Sequence, residues 1–259
     1  MIYDQREFGL RFEWGPQGVA QLAPISDAVV IVDVLTFSTA VAVAAARDVT
    51  VFPYRWGDDT AAAYAHSVHA LLAGPRGESA YSLSPRSLMA LPAGGRIVLP
   101  SPNGATLSLA TGATPTFAAC LRNARCVAAA ARACGPRVAV IACGEWWPDG
   151  GLRPSLEDQI GAGAVLACLD GAPSPEAAAA IAVYESASSR LHEALRSTTS
   201  GKELIGWGFA DDVVVAATPN SDEVAPRLRD GAFRSPTRRQ DACHPSAGDN
   251  AACIAIEID

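Results

Sequence analysis

The chain predicts an α/β fold: three layers, αβα, built on a mainly parallel sheet. Two observations carry this. Short β-branched runs alternate with alanine-rich stretches, which is the βαβα pattern of a parallel sheet covered by helices. The runs are also apolar almost throughout, as strands buried on both faces must be. A chain of 259 residues with 49 % hydrophobic and 18 % charged residues can bury a core of that size.

In order, strands are expected at AVVIVDV (28–34), TVFPY (50–54), GRIVLP (95–100), TPTFAAC (114–120) and RVAVIAC (137–143). Helices are expected between them at STAVAVAAAR (38–47), DDTAAAYAHSVHALLAG (58–74), NGATLSLAT (103–111) and NARCVAAAARACG (123–135). Two longer helices follow, 155–171 and 175–197, joined by the turn-forming GAPSP. Residues 201–208 read as a short polar bend, and the tail from Gly231 is polar before ending in the strand-like ACIAIEI. One domain over 1–259 is expected, with a division into two lobes around a cleft near 145–155 as its variant.

Composition narrows the function. No apolar run reaches the ~18 residues of a membrane helix. The segment MIYDQREFGLRFEWG lacks the basic start and apolar core of a signal peptide, so a soluble, cytoplasmic protein is expected. Seven cysteines with no C-x-x-C pair argue against both a disulfide framework and a zinc cage. The net charge of −7 argues against a nucleic-acid binder. An acidic chain that handles an anion must gather positive charge locally. Nineteen of its twenty basic residues are arginine, Lys202 being the exception; the planar fork suits phosphate, and codon bias explains the same count.

In an open parallel sheet, ligands collect beyond the carboxyl ends of the strands, where loops enter helix N-termini. Three such loops stand out. VVIVDVLTFST places Asp33 near a strand end, with Ser38 or Thr39 ready to cap the next helix. Asp33 is either a carboxylate satisfied by local N–H groups or a buried arginine, or a metal ligand or nucleophile; an ionised carboxylate in an apolar strand needs a partner either way. RIVLPSPNGAT ends in Ser101, Pro102, Asn103 and Gly104, a turn or an anion cradle. VAVIACGEWW ends in Cys143, Gly144 and Glu145, where Cys143 is a thiol nucleophile or a small buried hydrophobe.

PSLEDQIGAG (154–163) reads as a helix start in which Ser155 and Asp158 make a capping-box-like pair, Glu157 favours the positive helix end, and Gly161 and Gly163 permit close packing. Paired carboxylates at that position also suit Mg²⁺, which needs only one or two of them. His66 and His69 lie three apart on an expected helix without a third ligand in view. Lys202 in TSGKEL is no P-loop, and neither G-x-S-x-G nor G-x-G-x-x-G occurs.

In order along the chain, Asp33-Val34-Leu35 with Ser38-Thr39, Ser101-Pro102-Asn103-Gly104, Arg122-Asn123-Ala124, Cys143-Gly144, and Ser155-Leu156-Glu157-Asp158 with Ala162-Gly163 resemble the 2-phosphosulfolactate phosphatase (ComB) family. Ser200-Gly201 and Gly208 with Asp211-Asp212-Val213 fit its C-terminal pattern, so the likeness runs over about residues 27 to 226. The resemblance implies a Mg²⁺-dependent phosphatase of α/β type, acting on a small anionic phosphorylated hydroxy acid on the way to coenzyme M. Asp33, Glu157 and Asp158 are then the catalytic and metal residues. Ser101, Asn103, Gly104, Arg122, Asn123, Cys143, Gly144 and Arg153 then meet the substrate, and a homodimer is compatible with it. Whether Asp33 attacks phosphorus or a bound water does is left open.

Two departures bear on the substrate. Thr36 and Phe37 stand where the family usually has arginine and alanine, removing one expected anion contact, and its glycine-rich G-E-R…G-N-S-P region is shortened to GPRGESAYSLSP (74–85). A haloacid-dehalogenase-like phosphatase is a second reading, weakened because position 35 is leucine where that motif has its second aspartate. A non-catalytic protein that binds an anionic metabolite on the same fold is a third.

Overall fold

The computed structural model describes residues 2–55 and 58–235. Strand β1 (Leu10–Trp14) and helix α1 (Gly15–Leu22) precede β2 (Ala28–Val32), α2 (Phe37–Ala45), β3 (Thr50–Tyr54), α3 (Asp59–Ser67) and β4 (Leu71–Leu72). There follow α4 (Pro85–Leu88), β5 (Arg96–Pro100), α5 (Gly104–Leu109), β6 (Thr116–Ala119), α6 (Ala124–Arg132) and β7 (Val138–Ala142). The hairpin of β8 (Glu145–Trp146) and β9 (Leu152–Arg153) leads into α7 (Leu156–Leu166), α8 (Pro175–Ala187), α9 (Leu191–Ser197), α10 (Thr199–Gly206) and α11 (Ala210–Ala216). Strands β10 (Arg227–Arg229) and β11 (Ala232–Arg234) come last.

The main sheet has nine strands in the order β1-β7-β2-β6-β10-β11-β3-β5-β4. Pairings among β1, β7, β2 and β6 are parallel, as are those among β3, β5 and β4. The β10–β11 hairpin joins the halves through antiparallel contacts on both sides. The three-layer expectation holds: Val30 and Val32 of β2 face a core shared with α6, α7 and α8, while Val29 and Ile31 face one shared with α1 and α5. All five residues of β2 and of β7 are buried, which is why neither shows a polar alternation.

This sheet is rolled. Strands β2 and β5 are five positions apart in the order, about 24 Å in a flat sheet at about 4.8 Å per strand. Yet the amide of Gly104, just after β5, lies 3.1 Å from the Asp33 carboxylate just after β2. The curl brings the carboxyl ends of both halves to one place.

Several sequence expectations change. The 58–74 helix stops at Ser67; Asp58 caps its start, and His69 adopts a left-handed φ of +49° beyond its end, so His66 and His69 do not share a helix face. The 175–197 helix is interrupted by a 3₁₀ turn at Ser188–Arg190. Residues 199–206 form a helix instead of a bend, because Thr198 Oγ1 accepts the N–H of Gly201 as its cap. The strand-like ACIAIEI (252–258) lies outside the described residues. No described helix is long and apolar enough to cross a membrane.

Gly161 and Gly163 lie at close approaches, as expected. A Cβ at Gly161 would meet Val34 Cγ2 at 2.5 Å, and one at Gly163 would overlap the carbonyl of Ala180 on α8. The second obstacle is backbone, which cannot swing aside. Gly163→Ala is therefore expected to destabilise by about 1–3 kcal/mol, because this overlap outweighs the up to ~1 kcal/mol that alanine gains in a helix. Urea unfolding measures it; an unchanged midpoint would show that α7 and α8 can separate freely.

Candidate active site

Asp33 follows β2 directly and is 6 % exposed. Its Oδ1 accepts the N–H of Phe37 at 3.1 Å and its Oδ2 that of Gly104 at 3.1 Å, so one carboxylate stands against the first residues of α2 and α5. The expected cap by Ser38 or Thr39 does not form. Ser38 Oγ instead accepts the Asp33 N–H at 3.0 Å and donates to Ile31 O at 3.1 Å, and Thr39 Oγ1 donates to Val34 O at 2.7 Å. These bonds fix the turn that aims Asp33. Gly104 must be glycine here, because a Cβ would collide with the Phe37 ring.

Asp158 does not close a capping box either. Ser155 makes no side-chain cap, and its buried Oγ has no partner. The Asp158 carboxylate reaches instead to Val34 N–H at 2.7 Å and Gly144 N–H at 2.9 Å, pinning α7 to the ends of β2 and β7. Gly144 has φ +67°, a conformation natural to glycine, and a Cβ there would press on Arg153 O at 2.8 Å. Glu157 is 3 % exposed, and its carboxylate takes no hydrogen bond among the described residues.

Burial raises the Asp33 carboxyl from its ordinary 3.8 to about 6, opposed by the Phe37 N–H and aided by repulsion from Glu145 and Glu157. Burial also lifts Asp158 well above the usual range, with repulsion from Asp33 and Glu157 adding to it. Arg76 is the cation that faces Asp33, and burial outweighs it; for Asp158, among charged groups, only repulsion from other acids accompanies burial. Among the described residues, no three His, Cys, Asp or Glu side chains are gathered closely enough to form a metal cage.

A cavity of about 140 Å³ opens beside Asp33. Thr36, Ser101 and Asn103 line it with Glu145, while α10 contributes Ser200, Glu203 and Trp207. Arg76 is the one arginine or lysine in its wall among the described residues. Asn103 Nδ2 donates to Glu145 Oε1 at 3.1 Å, and its Oδ1 accepts from Trp146 Nε1 at 2.7 Å, so this side chain orders the rim. A larger groove of about 470 Å³ lies against α7, α8 and α9, lined by Leu156, Ile160 and Val183, and contains none of the buried acids described above. The smaller, polar cavity is the one that adjoins the buried acids.

The structure gathers Asp33, Ser101, Asn103 and Gly104, with Glu157, Asp158 and Gly144 adjoining through electrostatic or backbone contacts. Arg153 stands at the rim, donating to Ser200 Oγ at 3.3 Å over the Trp147 ring. Three expected contacts are committed elsewhere. Arg122 is held by Asp222 through bonds of 2.6 and 2.8 Å and by Val215 O at 2.8 Å. Asn123 bonds the backbone of Cys120 and Ala118. Cys143 packs in the core with Ile31 and Leu107, and burial pushes its thiol well up, which removes it as a nucleophile. Arg76, Glu203 and Trp207 were not picked out from sequence, and Thr36, Glu145 and Ser200 were noted there without a role at the site; for Arg76 the available signal was an arginine between Gly74-Pro75 and Gly77 in a loop.

A family model described as 2-phosphosulpholactate phosphatase matches residues 16–231. A curated 2-phosphosulfolactate phosphatase of Methanothermobacter thermautotrophicus is 32 % identical over 135 residues, covering 52 % of this chain and 57 % of that protein. A probable 2-phosphosulfolactate phosphatase of Gloeobacter violaceus is 37 % identical over 73 residues, 28 % of this chain and 31 % of that one. The chain thus spans little more than half the length of the first relative and about a third of the second.

The Arg122–Asp222 pair gives a structural expectation. Arg122→Met alone should cost about 3–5 kcal/mol by stranding a buried carboxylate, whereas the double change with Asp222→Leu should regain most of it. Chemical denaturation of both variants tests this; equal losses would show that a stranded Asp222 carboxylate is not the source of the cost.

Proposed function

The chain belongs to the 2-phosphosulpholactate phosphatase family, and on that basis we propose that it hydrolyses a small phosphorylated hydroxy acid, 2-phosphosulfolactate or a close relative, in the cleft beside Asp33. The observation that carries this reading is the cleft itself. A cavity of about 140 Å³ suits a small molecule, and it sets one arginine against a carboxylate anchored by backbone amides.

Phosphate monoesters are among the slowest compounds to hydrolyse, so the site must both activate water and offset charge on the phosphoryl group. Asp33 serves as the base. Its oxygens are held by Phe37 and Gly104, and a carboxyl near 6 is ionised yet still basic at neutral pH. It takes a proton as a water oxygen bonds to phosphorus; the ester P–O bond breaks, and the leaving oxygen takes a proton from solvent to give the hydroxy acid. Arg76 meets the anion, aided by the Ser101 hydroxyl, in place of the family's arginine at position 36.

Mg²⁺ fits this donor set, because Asp33 and Asp158 are driven upward by burial and mutual repulsion and Glu157 has no hydrogen-bond partner. Glu157 would hold it directly and Asp33 only through a water, which leaves Asp33 able to act as the base, with Asp158 behind them; an ion that keeps most of its waters needs no three-residue cage. Bound there, it supplies charge neutralisation to the phosphoryl group.

Phosphate release from 2-phosphosulfolactate, 2-phospholactate and 2-phosphoglycerate, with Mg²⁺ and with a chelator, tests the reading. Mg²⁺-dependent release is expected, reduced about 10²–10⁴-fold in Asp33→Asn with its circular dichroism unchanged. No release from any of the three, or near-normal turnover in the variant, would reject it.

The metal assignment has a readout apart from turnover. Because the folded-state value of Asp33, about 6, lies above its ordinary 3.8, its contribution to stability is complete below about pH 4 and is lost as pH rises through about 6. Mg²⁺ competes with that proton. It should therefore raise the melting temperature markedly at about pH 8 and little at about pH 5, and this contrast should shrink in Asp33→Asn. A shift equal at both pH values, or equal in the variant, would remove Asp33 from the metal site.

A further inference from the structure

Arg76 is held on several sides, but not on all. Its Nη2 donates to Thr36 Oγ1 at 2.5 Å and to Leu83 O at 3.3 Å, and the Phe209 ring centre lies 5.8 Å from the guanidinium carbon. Its Nε is buried and without a hydrogen bond. The Oδ2 of Asp212, likewise buried and unbonded, lies 3.6 Å from it. Two orphaned atoms of opposite charge thus face each other just beyond hydrogen-bond length. Nη1 donates to no protein group among the described residues, which leaves one end of the fork for a ligand.

Asp212 is itself fixed. In the first turn of α11 it is 1 % exposed, and its Oδ1 accepts Ser84 Oγ at 2.5 Å and Arg86 N–H at 3.2 Å. Those two bonds would suffice to dock α11 against α4, and asparagine could make them without burying a charge. The charge is costly to bury. Its evident counterpart is Arg76.

We propose that Asp212 is a positioning residue: it orients the Arg76 guanidinium so that Nη1 meets the anionic group of the ligand in the Asp33 cleft. This rests on the phosphatase reading for the chemistry of that ligand. An anion at one end of the fork and a carboxylate at the other hold the plane of the guanidinium in a way that a single contact does not. Ser84 acts one step further back, by holding Asp212.

The test uses Asp212→Asn, Arg76→Lys and their double variant, with Ser84→Ala as a milder change should Asp212→Asn fold poorly. KM and kcat for the phosphorylated acid are measured together with quenching of tryptophan fluorescence by inorganic phosphate, since Trp207 lines the cleft. Asp212→Asn is expected to raise KM and the phosphate Kd about tenfold with kcat changed less than about threefold, and Ser84→Ala should shift both the same way by less. In the double variant the loss should be no greater than in Arg76→Lys, because the two residues act as one unit.

Unchanged KM and Kd in Asp212→Asn, additive losses in the double variant, or a fall confined to kcat would overturn the proposal. If no phosphorylated acid is hydrolysed, yet phosphate binds and Asp212→Asn weakens it, the phosphatase reading falls and the positioning role stands. Failure of the unmodified protein to bind phosphate overturns the role itself.

Discussion

Two buried carboxylates hold the carboxyl ends of the central strands together. Asp33 takes amides at the starts of α2 and α5, and Asp158 takes the amides of Val34 and Gly144, contacts that bridge 71 and 124 residues of chain in the longest cases. Each hydrogen bond to a charged acceptor contributes about 1.5–3 kcal/mol. Withdrawing each carboxylate from water costs several kcal/mol, and for both residues the carboxyl value moves up, so desolvation prevails over the amides. The geometry is secure because the backbone supplies it, but the charge is not satisfied. An arrangement of that kind has an incomplete electrostatic balance built into its centre.

The rolled sheet makes the arrangement possible. Neither parallel half could bring its strand ends to the other in a flat sheet, and the β10–β11 hairpin that joins them comes from the far end of the described chain, pairing Arg227 with Phe117 and Phe233 with Val51. Helices α10 and α11 also arrive late in sequence, bringing Glu203 and Trp207 to the cavity and Asp212 to Arg76. The cleft is thus assembled from non-local pairings, each of which must overcome loop-closure entropy before it contributes. Asp33 sits where the earliest strand of the site in sequence meets a helix from near the end of the described chain.

Much of this was legible in the sequence where local physics decides. Five apolar runs became strands with boundaries within about two residues, since β-branched residues between turn formers leave little choice. Asp33 and Gly104 were identifiable because an acid in an apolar strand and an Asn-Gly after one are anomalies that need a partner. Less legible was anything set by distant groups. Ser155 and Asp158 looked like a local cap, yet Asp158 bonds across the sheet and Ser155 does not cap at all. Arg122 was expected as an anion contact from the family resemblance, and nothing local signalled its partner, Asp222, 100 residues away. Arg76 was passed over for the same reason: only the folded chain sets Thr36 and Asp212 on either side of it.

Charge balance ties the fold to the proposed chemistry. The cleft wall carries Asp33, Glu145 and Glu203 against Arg76, with Glu157 and Asp158 behind Asp33. A phosphorylated acid entering it alone would meet more negative charge than positive, in surroundings where water screens poorly. Raising Asp33 from 3.8 to about 6 represents on the order of 3 kcal/mol held against the ionised state. That energy is recoverable only by something that prefers the carboxylate ionised, a proton acceptor's reacting partner or a cation. Arginine alone does not supply it, because Arg76 is already directed toward Asp212 and Thr36. The acid surplus is what the proposed divalent cation and the substrate's anion would offset together, each countering a charge that the other would otherwise leave exposed to repulsion.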